Sequence, residues 1–447
     1  MQQSQGPEWG TGWGFLLAAI GSAVGIGNVW RFSYVVGVNG GGAFILVYLL
    51  AVLALGLPLL IAELAVGRQT RTDPVTTFHR LAPRPPWRWA GWPGVFACMA
   101  ILSYYPVIAG WVGNYLFRYA RDGLDIAGAD SYQAYFDSLI ADPLQALLWQ
   151  GVILAATVFI VASGVEKGIE RVSKFLMPVF VLLLLLLTAQ GLASEGRGQA
   201  LAFMFRPDWS ALREPATYLA AVGQAFFSIG LAMGILVTYG GYLPRQVNLA
   251  RAAFVIGASD TVIALLAGLV IFPAVFAHGL DPAQGTTLAF AVLPEVFAAM
   301  PGGRWLGVAF FLLLLIAALT SAVALLEVPV ALAIARLGLE RRRAAAGFGL
   351  LAFALGVPSA LGFGLLRPTA LEAPTILDRV DFLASSILLP SSGMAIALMV
   401  GWAWRPADHA GSSTLHSPML HHLWLASLRY FLPGVILLVM LAGLGLI

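Results

Sequence analysis

A glycine-rich stretch inside the first long apolar run carries the residue types that could bind ions. Gly21, Gly25 and Gly27 fall within seven residues, and Asn28 follows directly. Each glycine costs a helix interior about 1 kcal/mol relative to alanine, so a helix is easily interrupted here. In a membrane an opened backbone is tolerated where it lines a cavity, and its free N–H and C=O groups can hold an anion and a cation. The stretch therefore predicts a binding site, with close helix packing through small residues as the alternative.

A second apolar run is interrupted in the same way at Phe227-Ser-Ile-Gly-Leu-Ala-Met-Gly234. Along the chain, the interrupted runs are the first and the sixth apolar segments. Paired broken helices at matching positions of two halves indicate a midplane site between inverted repeats. We therefore expect two inverted repeats, at about 9–194 and 213–404, and a peripheral helix at 424–446.

Three carboxylates lie inside apolar runs, where an acid is costly and usually functional. They are Glu63, Asp260 and Glu327. We interpret Asp260 as a functional acid, with a structural, paired acid as the alternative. Glu63 is interpreted as structural, and Glu327 is expected near Tyr242, beneath the site.

The composition predicts an all-α polytopic membrane protein. Of 447 residues 60% are hydrophobic and 11% are charged, whereas soluble domains carry about 25% charged residues. The alternating segments of a membrane β-barrel do not recur. Apolar runs long enough to cross a bilayer predict about eleven helices. They lie near 11–35, 41–66, 93–117, 143–163, 174–193, 215–243, 252–277, 304–335, 344–363, 381–403 and 425–446.

The placement of charged residues predicts orientation and partners. Five arginines follow the second run, and five aspartates lie between the third and fourth. By the positive-inside rule we expect a multi-pass protein of the cytoplasmic (inner) membrane, with its N-terminus in the cytoplasm and its C-terminus outside. The net charge of +3 does not indicate nucleic-acid binding, because the basic residues flank apolar spans. The single cysteine, Cys98, excludes an internal disulfide.

The stretch Gly21-Ser-Ala-Val-Gly-Ile-Gly-Asn-Val-Trp-Arg-Phe32, followed by Asn39-Gly-Gly-Gly-Ala-Phe44, resembles the signature of the neurotransmitter:sodium symporter family. The resemblance covers nearly the whole chain and is closest to the bacterial branch. It implies a single transporter domain over 1–447, with two inverted five-helix repeats and broken helices 1 and 6. It also implies sodium-coupled uptake of an amino acid by alternating access, with two Na+ sites. We expect no organic cofactor and no enzymatic activity.

The resemblance implies the ligands of both sodium sites. The first site takes the substrate carboxylate and four residues: Ala23, Asn28, Ser228 and Asp260. A ligand shared by substrate and ion couples the binding of the two. The second site takes Gly21, Val24, Ala317, Thr320 and Ser321. Apart from the resemblance, the hydroxyls of Thr320 and Ser321 could instead bond back to the preceding helical turn.

The resemblance also implies a substrate pocket around both breaks. Its residues are Ala23, Gly25, Ile26, Gly27, Ile101, Tyr105, Phe227, Ser228, Gly230, Met233, Ser321 and Leu325. The substrate carboxylate is expected at the N–H groups of Ile26 and Gly27 and at the Tyr105 hydroxyl. The lining of the side-chain pocket is apolar or small, so we expect a neutral L-amino acid with an apolar side chain.

Gating is implied by three further positions. Arg31 and Asp381 match an ion pair that closes the pocket mouth, with Phe227 as the lid. At the cytoplasmic side the family's usual ion pair cannot form, because Gly6 and Ala335 occupy its positions. We expect closure there to depend on Trp9, Tyr242 and Glu327.

Asp260 stands where relatives commonly have asparagine, and this predicts independence from chloride. In chloride-dependent relatives a bound anion offsets the charge beside the first sodium, and Asp260 would supply that charge permanently. A proton-coupled or uncoupled transporter of the same fold and a transporter-like membrane sensor remain as alternatives. The sequence does not predict the preferred amino acid, the sodium stoichiometry or the oligomeric state.

Overall fold

The first apolar segment is a broken helix. A computed structural model describes residues 8–126, 129–244, 246–282, 288–370, 373–404, 414–415 and 417–446. Helix α1 (Gly12–Ala23) ends at the glycine-rich stretch, and α2 (Gly27–Val38) begins after three residues with its axis bent by 55°. The first turns of α2, Gly27–Arg31, are π-helical. The break therefore falls where the glycines predict it.

Nine helices in the described ranges are long and apolar enough to cross a bilayer. In chain order they include α3 (Gly42–Thr70), α4 (Trp92–Asp122), α5 (Pro143–Ala162) and α6 (Val165–Ala193). The sixth segment is again broken, into α7 (Pro215–Ser228) and α8 (Ile235–Gly241). The others are α9 (Leu249–Ala277), α10 (Gly303–Leu337), α11 (Arg341–Leu361), α12 (Ile376–Ala403) and α13 (Pro418–Gly443). The prediction of an all-α chain with broken helices 1 and 6 is confirmed.

Short helices form the connections, and the sequence patterns did not predict them. They are Pro74–Leu81, Trp87–Trp89, Tyr132–Ala141, Arg197–Phe205, Ala211–Arg213 and Ala289–Ala299. The described residues contain one isolated β-bridge, between Gly41 and Pro207.

Several predicted boundaries are wrong by more than a turn, among them the starts of the last two spans, at Pro418 and Ile376 rather than 425 and 381. The largest difference is at the fifth span. The fifth span was expected near 174–193, but α6 begins at Val165. The charged residues before 174 suggested a loop. Instead, the buried Glu170 carboxylate accepts hydrogen bonds from the Gly10 N–H and the Thr11 hydroxyl. It also forms an ion pair with Lys174 at 2.6 Å. These charged residues therefore have partners although they lie within a helix.

The second break contains three residues in the left-handed backbone conformation. Gly230, Ala232 and Gly234 have φ of +70°, +65° and +73°. For a residue with a Cβ, as at Ala232, this conformation costs roughly 1–2 kcal/mol. The carboxylate of Glu63, on α3, accepts a hydrogen bond from the Ala232 N–H at 2.7 Å. Glu63 therefore stabilises the shape of the break.

Residues 71–91 and 336–343 form one end of the molecule, which we call the arginine-rich end. Aromatic packing closes the helix bundle there. Trp9 is 3% exposed. Its indole Nε1 donates to the Tyr239 carbonyl at 3.0 Å, and its backbone N–H donates to the Tyr242 carbonyl at 3.2 Å. Trp9 and Tyr239 also pack edge to face, with ring centroids 5.1 Å apart. Trp9 thus ties the start of α1 to the end of α8.

A buried ion pair adds to this closure. The Tyr242 hydroxyl donates to Glu327 at 2.6 Å, as expected from the sequence. Arg341 binds the same carboxylate through two N–H groups, at 2.7 and 2.9 Å. The expectation that closure relies on Trp9, Tyr242 and Glu327 was therefore incomplete, because Arg341 was missed. Gly6, at one of the missing ion-pair positions, lies outside the described residues.

Substituting Arg341→Gln should open the arginine-rich end. The change leaves the fully buried Glu327 carboxylate without its cation, and losing one partner of a buried pair costs about 3–5 kcal/mol. Hydration of Glu327 in an opened state recovers part of that cost. We expect a Thr238→Cys reporter in a Cys98→Ser background to react faster with a maleimide in the Arg341→Gln variant.

Two controls test the assignment of this effect. The double variant Glu327→Gln, Arg341→Gln has no buried charge and should label more slowly than Arg341→Gln alone. Arg342→Gln removes an exposed charge from the same end and should label like the parent. If Arg341→Gln labels no faster than Arg342→Gln, the ion pair does not hold this end closed.

Candidate functional site

The carboxylate of Asp260 is the centre of a fully buried polar cluster. Asp260, on α9, is 0% exposed. It accepts from the Asn28 amide at 2.5 Å and from the Ser228 hydroxyl at 2.7 Å. The Tyr48 hydroxyl, on α3, donates to it at 3.3 Å. The first site's predicted residues Asn28, Ser228 and Asp260 therefore meet where both helix breaks approach α9.

This cluster has the donor chemistry of a sodium site. Every partner of Asp260 is a neutral amide or hydroxyl, and none of the described lysines or arginines pairs with it. A buried carboxylate is costly unless a cation accompanies it. Hard cations take oxygen ligands, and Asp260, Ser228 and the Asn28 carbonyl offer them. Ala23, the fourth predicted residue, is buried at the end of α1.

The residues predicted for the second sodium site also come together. The Ser321 hydroxyl, on α10, lies 3.4 Å from the Val24 carbonyl and 3.5 Å from the Ser22 carbonyl. Thr320 bonds back to the carbonyls of Ile316 and Ala317 at 3.0 and 3.1 Å.

Gly21 completes this second set. A Cβ at Gly21 would lie 3.2 Å from the Thr320 Cβ, so α1 and α10 approach closely at this point. The back-bonding predicted as the alternative for Thr320 is therefore present. The oxygen-rich contact between the first break and α10 is present as well.

Two backbone N–H groups of the first break donate to side chains rather than to a helical carbonyl. The Ile26 N–H donates to the Tyr105 hydroxyl at 3.3 Å, and the Gly25 N–H donates to the Asn28 side chain at 2.9 Å. A Cβ at Gly25 would lie 3.1 Å from both the Ser321 and the Tyr105 hydroxyl oxygens. Only glycine leaves room at this point, where the Tyr105 and Ser321 hydroxyls converge. A substrate carboxylate placed there could accept hydrogen bonds from both hydroxyls.

A cavity of about 680 Å³ leads from the surface to this break. Ile26, Gly27, Tyr105 and Phe227 line its inner part. The Phe227 ring lies against Gly27, where an added Cβ would be 2.8 Å from it. Phe227 therefore lies between the open cavity and the residues behind the breaks, and its role as a lid stays a prediction.

The outer ion pair implied by the resemblance is not formed in this structure. Arg31 and Asp381 line the same cavity. The Arg31 guanidinium instead lies over the Phe227 ring, 4.2 Å from its centroid, and Asp381 accepts from the Tyr104 hydroxyl at 2.6 Å. The cavity mouth is open, and each charge has a local partner. Their role as a gate stays a prediction.

The remaining predicted pocket residues lie behind Phe227. A Cβ at Gly230 would meet its nearest atoms at 3.9 Å, the Ser22 carbonyl oxygen, and 4.0 Å, the Met233 sulfur. Space is therefore left beside Gly230. Met233, Ile101 and Leu325 are 6%, 3% and 3% exposed. These apolar side chains are part of the buried core.

Two residues escaped the sequence analysis, Tyr104 and Arg341. The Tyr104 hydroxyl donates to Asp381, although only its neighbour Tyr105 was singled out. Glu63 was interpreted as structural, and its hydrogen bond from the Ala232 N–H in the second break agrees with that interpretation. Arg341 pairs with Glu327. A signal existed for the last, because an acid inside a span predicts a nearby cation and a run of arginines follows α10.

Comparison with known proteins gives an independent result. The model of the sodium:neurotransmitter symporter family matches residues 6–131 and 142–409. The uncharacterized sodium-dependent transporter YhdH of Bacillus subtilis is 38% identical, with both chains covered completely. The sodium-dependent neutral amino acid transporter B(0)AT2 of Bos taurus is 29% identical over 60% of this chain and 40% of its own.

A solved structure shares the fold. The crystal structure of MhsT in complex with L-phenylalanine is 48% identical in sequence and superimposes with a TM-score of 0.91. The match covers 98% of this chain and 99% of that one. Together with the broken helices and the oxygen-lined sites, these matches show that the chain belongs to the sodium:neurotransmitter symporter family and is a sodium-dependent membrane transporter rather than an enzyme.

Proposed function

We propose that the protein takes up neutral, apolar L-amino acids by symport with sodium and does not require chloride. The observation that carries the proposal is the junction of Gly25, Tyr105 and Ser321 beside the Asp260 cluster. Backbone N–H and hydroxyl groups suit the carboxylate of an amino acid. The apolar residues and the space at Gly230 suit its side chain.

The two sodium ions are assigned to the oxygen-lined sets. The first is held by Ala23, Asn28, Ser228 and Asp260, and the second by Gly21, Val24, Ala317, Thr320 and Ser321. The substrate carboxylate reaches the first sodium, so each ligand raises the affinity for the other. The relative that binds L-phenylalanine supports an aromatic side chain in this pocket.

The different states of the two ends of the bundle support alternating access. The cavity is open at the end bearing Asp378 and Asp381, whereas Trp9 and the Glu327–Arg341 pair close the arginine-rich end. We place the arginine-rich end in the cytoplasm, at the inner membrane, and the C-terminus outside. The structure then corresponds to an outward-facing state, and the repeats at 9–194 and 213–404 exchange the open end.

Sodium dependence is tested by uptake into proteoliposomes. An inward sodium gradient should drive accumulation of labelled phenylalanine, and replacing sodium by choline should abolish it. A proton-coupled transporter would accumulate substrate in choline under a proton gradient. A sensor would bind phenylalanine in sodium without accumulating it. Either result would reject the proposed symport.

Side-chain selection at Gly230 gives a second prediction. Gly230→Ser fills space beside Met233, so it should weaken competition by tryptophan about tenfold more than competition by alanine. The left-handed φ of Gly230 also strains the serine variant. This strain lowers the affinity for tryptophan and alanine alike, so it cancels in the ratio of their affinities. Gly223→Ser, on the same broken helix with nothing within 4 Å of its Cβ, should leave the ratio unchanged. An equal loss for alanine and tryptophan would remove Gly230 from the pocket.

Chloride independence is tested by replacing chloride with gluconate. Uptake by the natural protein should be unaffected, because Asp260 supplies the negative charge beside the first sodium. Asp260→Asn should be inactive or newly stimulated by chloride. The buried Gln224 amide, one turn before Ser228, has no hydrogen-bond partner among the described residues and could serve an anion in that variant. A collapse of natural uptake in gluconate would exclude Asp260 as the charge partner.

A further inference from the structure

A surface of arginines and tryptophans lies at the arginine-rich end, around the start of α4. We call it the Arg–Trp surface, and it consists of Arg80, Arg84, Arg88, Trp89, Trp92 and Arg336. Trp89 is 59% exposed, and the Arg88 guanidinium lies 5.3 Å from its ring centroid. The Arg336 guanidinium lies 5.8 Å from the Trp92 ring. Both guanidinium groups are therefore held against indole rings.

The positive charge of this surface is not neutralised by the protein. The sequence from Pro74 to Arg121 contains no acidic residue. Nearby acids are already engaged. Glu8 pairs with Arg71 at 2.7 Å and Glu340 with Arg343 at 3.8 Å, while the buried Asp73 caps the helix Pro74–Leu81. Among the described residues, none of the four arginines of the Arg–Trp surface forms an ion pair.

An apolar surface continues from these charges along α4. Phe96 is 54% exposed and stacks on Trp92 with ring centroids 5.5 Å apart. Guanidinium groups bind phosphate through paired N–H donors. Indole rings favour the boundary between headgroups and acyl chains. The adjacent charged and apolar areas match a molecule with a phosphate at one end and a hydrocarbon chain at the other.

We infer that the Arg–Trp surface binds an anionic phospholipid, with the phosphate at Arg88 and Arg336 and an acyl chain along Trp92 and Phe96. Free phosphate would use only the charged half of this surface. The inference concerns a partner of the protein and does not depend on the amino acid transported.

The bound headgroup would contact a segment that supports the second helix break. Arg336 donates from Nε to the Thr76 hydroxyl at 3.3 Å, on the helix Pro74–Leu81. Pro74 at the start of that helix packs on the break, since a Cβ at Gly234 would lie 3.0 Å from the Pro74 ring. The helix Pro74–Leu81 thus joins the Arg–Trp surface to the second helix break, between α7 and α8.

The test is quenching of tryptophan fluorescence in nanodiscs. The full protein is placed in phosphatidylcholine with equal small fractions of either brominated phosphatidylglycerol or brominated phosphatidylcholine. Brominated phosphatidylglycerol should quench more strongly. Arg88 and Arg336 are the two groups placed at the phosphate, so Arg88→Gln and Arg336→Gln should each lower the preference for the anionic lipid about fivefold, and the double variant should lower it further. Trp89→Phe should remove much of the difference between the two quenchers.

Control variants distinguish lipid binding at this site from general electrostatic attraction between anionic lipid and the basic end of the protein. Arg342→Gln removes one exposed charge at the same end and should keep the preference. Arg88→Lys keeps the charge and should keep most of the preference. Quenching by brominated phosphatidylcholine should be the same in all arginine variants, which reports that they are folded.

Three results would overturn the inference. One is equal quenching by both lipids in the natural protein. Another is an equal loss of preference in Arg342→Gln and Arg88→Gln. The third is loss of the preference when inorganic phosphate replaces chloride at constant ionic strength, which would indicate a site for a small anion.

Discussion

The buried negative charge of Asp260 is the constraint on which the site depends. A carboxylate removed from water must be surrounded by donors or accompanied by a cation. Here the donors come from three helices: Asn28 from α2, Ser228 from α7 and Tyr48 from α3. The two interrupted helices are therefore held to α9 by one buried carboxylate, the group proposed above as a sodium ligand.

The Asn28 side chain joins this cluster to the first break. Its amide nitrogen donates to Asp260 and Ser228, while its oxygen accepts from the Gly25 N–H. A cation that binds Asp260 and the Asn28 oxygen competes with these hydrogen bonds. A sodium ion at the proposed first site would therefore release the Gly25 N–H, beside the Tyr105 and Ser321 hydroxyls. If sodium binds as proposed, this amide group would link ion binding to substrate binding in addition to the shared ligand.

The sequence predicted the architecture well because its strongest signals are local. Long apolar runs and clustered glycines are readable along the chain, so both breaks fall where they were expected. About eleven spans were expected; in the described ranges nine helices are long and apolar enough to cross a bilayer, and the bent pair α1 and α2 makes ten. The start of α6 was wrong, since the charged residues around Glu170 meet partners about 160 positions away. The residues expected at both sodium sites came from the resemblance. The structure brings most of them together, and their role as sodium ligands stays a prediction.

What the sequence could not supply was pairing between distant residues and the conformation of the gates. Tyr104 and Asp381 are 277 positions apart, and no local pattern links them. The π-helical turns at Gly27–Arg31 and elsewhere also lack a recognisable residue pattern. Arg31 and Asp381 do not pair in this structure, because each has another partner, whereas a sequence signature records only which residues are available to pair.

The bond from Glu63 to Ala232 has a mechanical consequence. Helices α3 and α8 also meet backbone to backbone, since a Cβ at Gly67 would overlap the Val237 carbonyl and one at Gly240 would lie 2.8 Å from the Leu64 carbonyl. Surfaces this close cannot slide past each other without collision. The second break and α3 must therefore travel as one rigid body. In the proposed alternating-access cycle, the contacts that separate at the arginine-rich end would then be those of Trp9 and the Tyr242–Glu327 pair, where side chains rather than backbones meet.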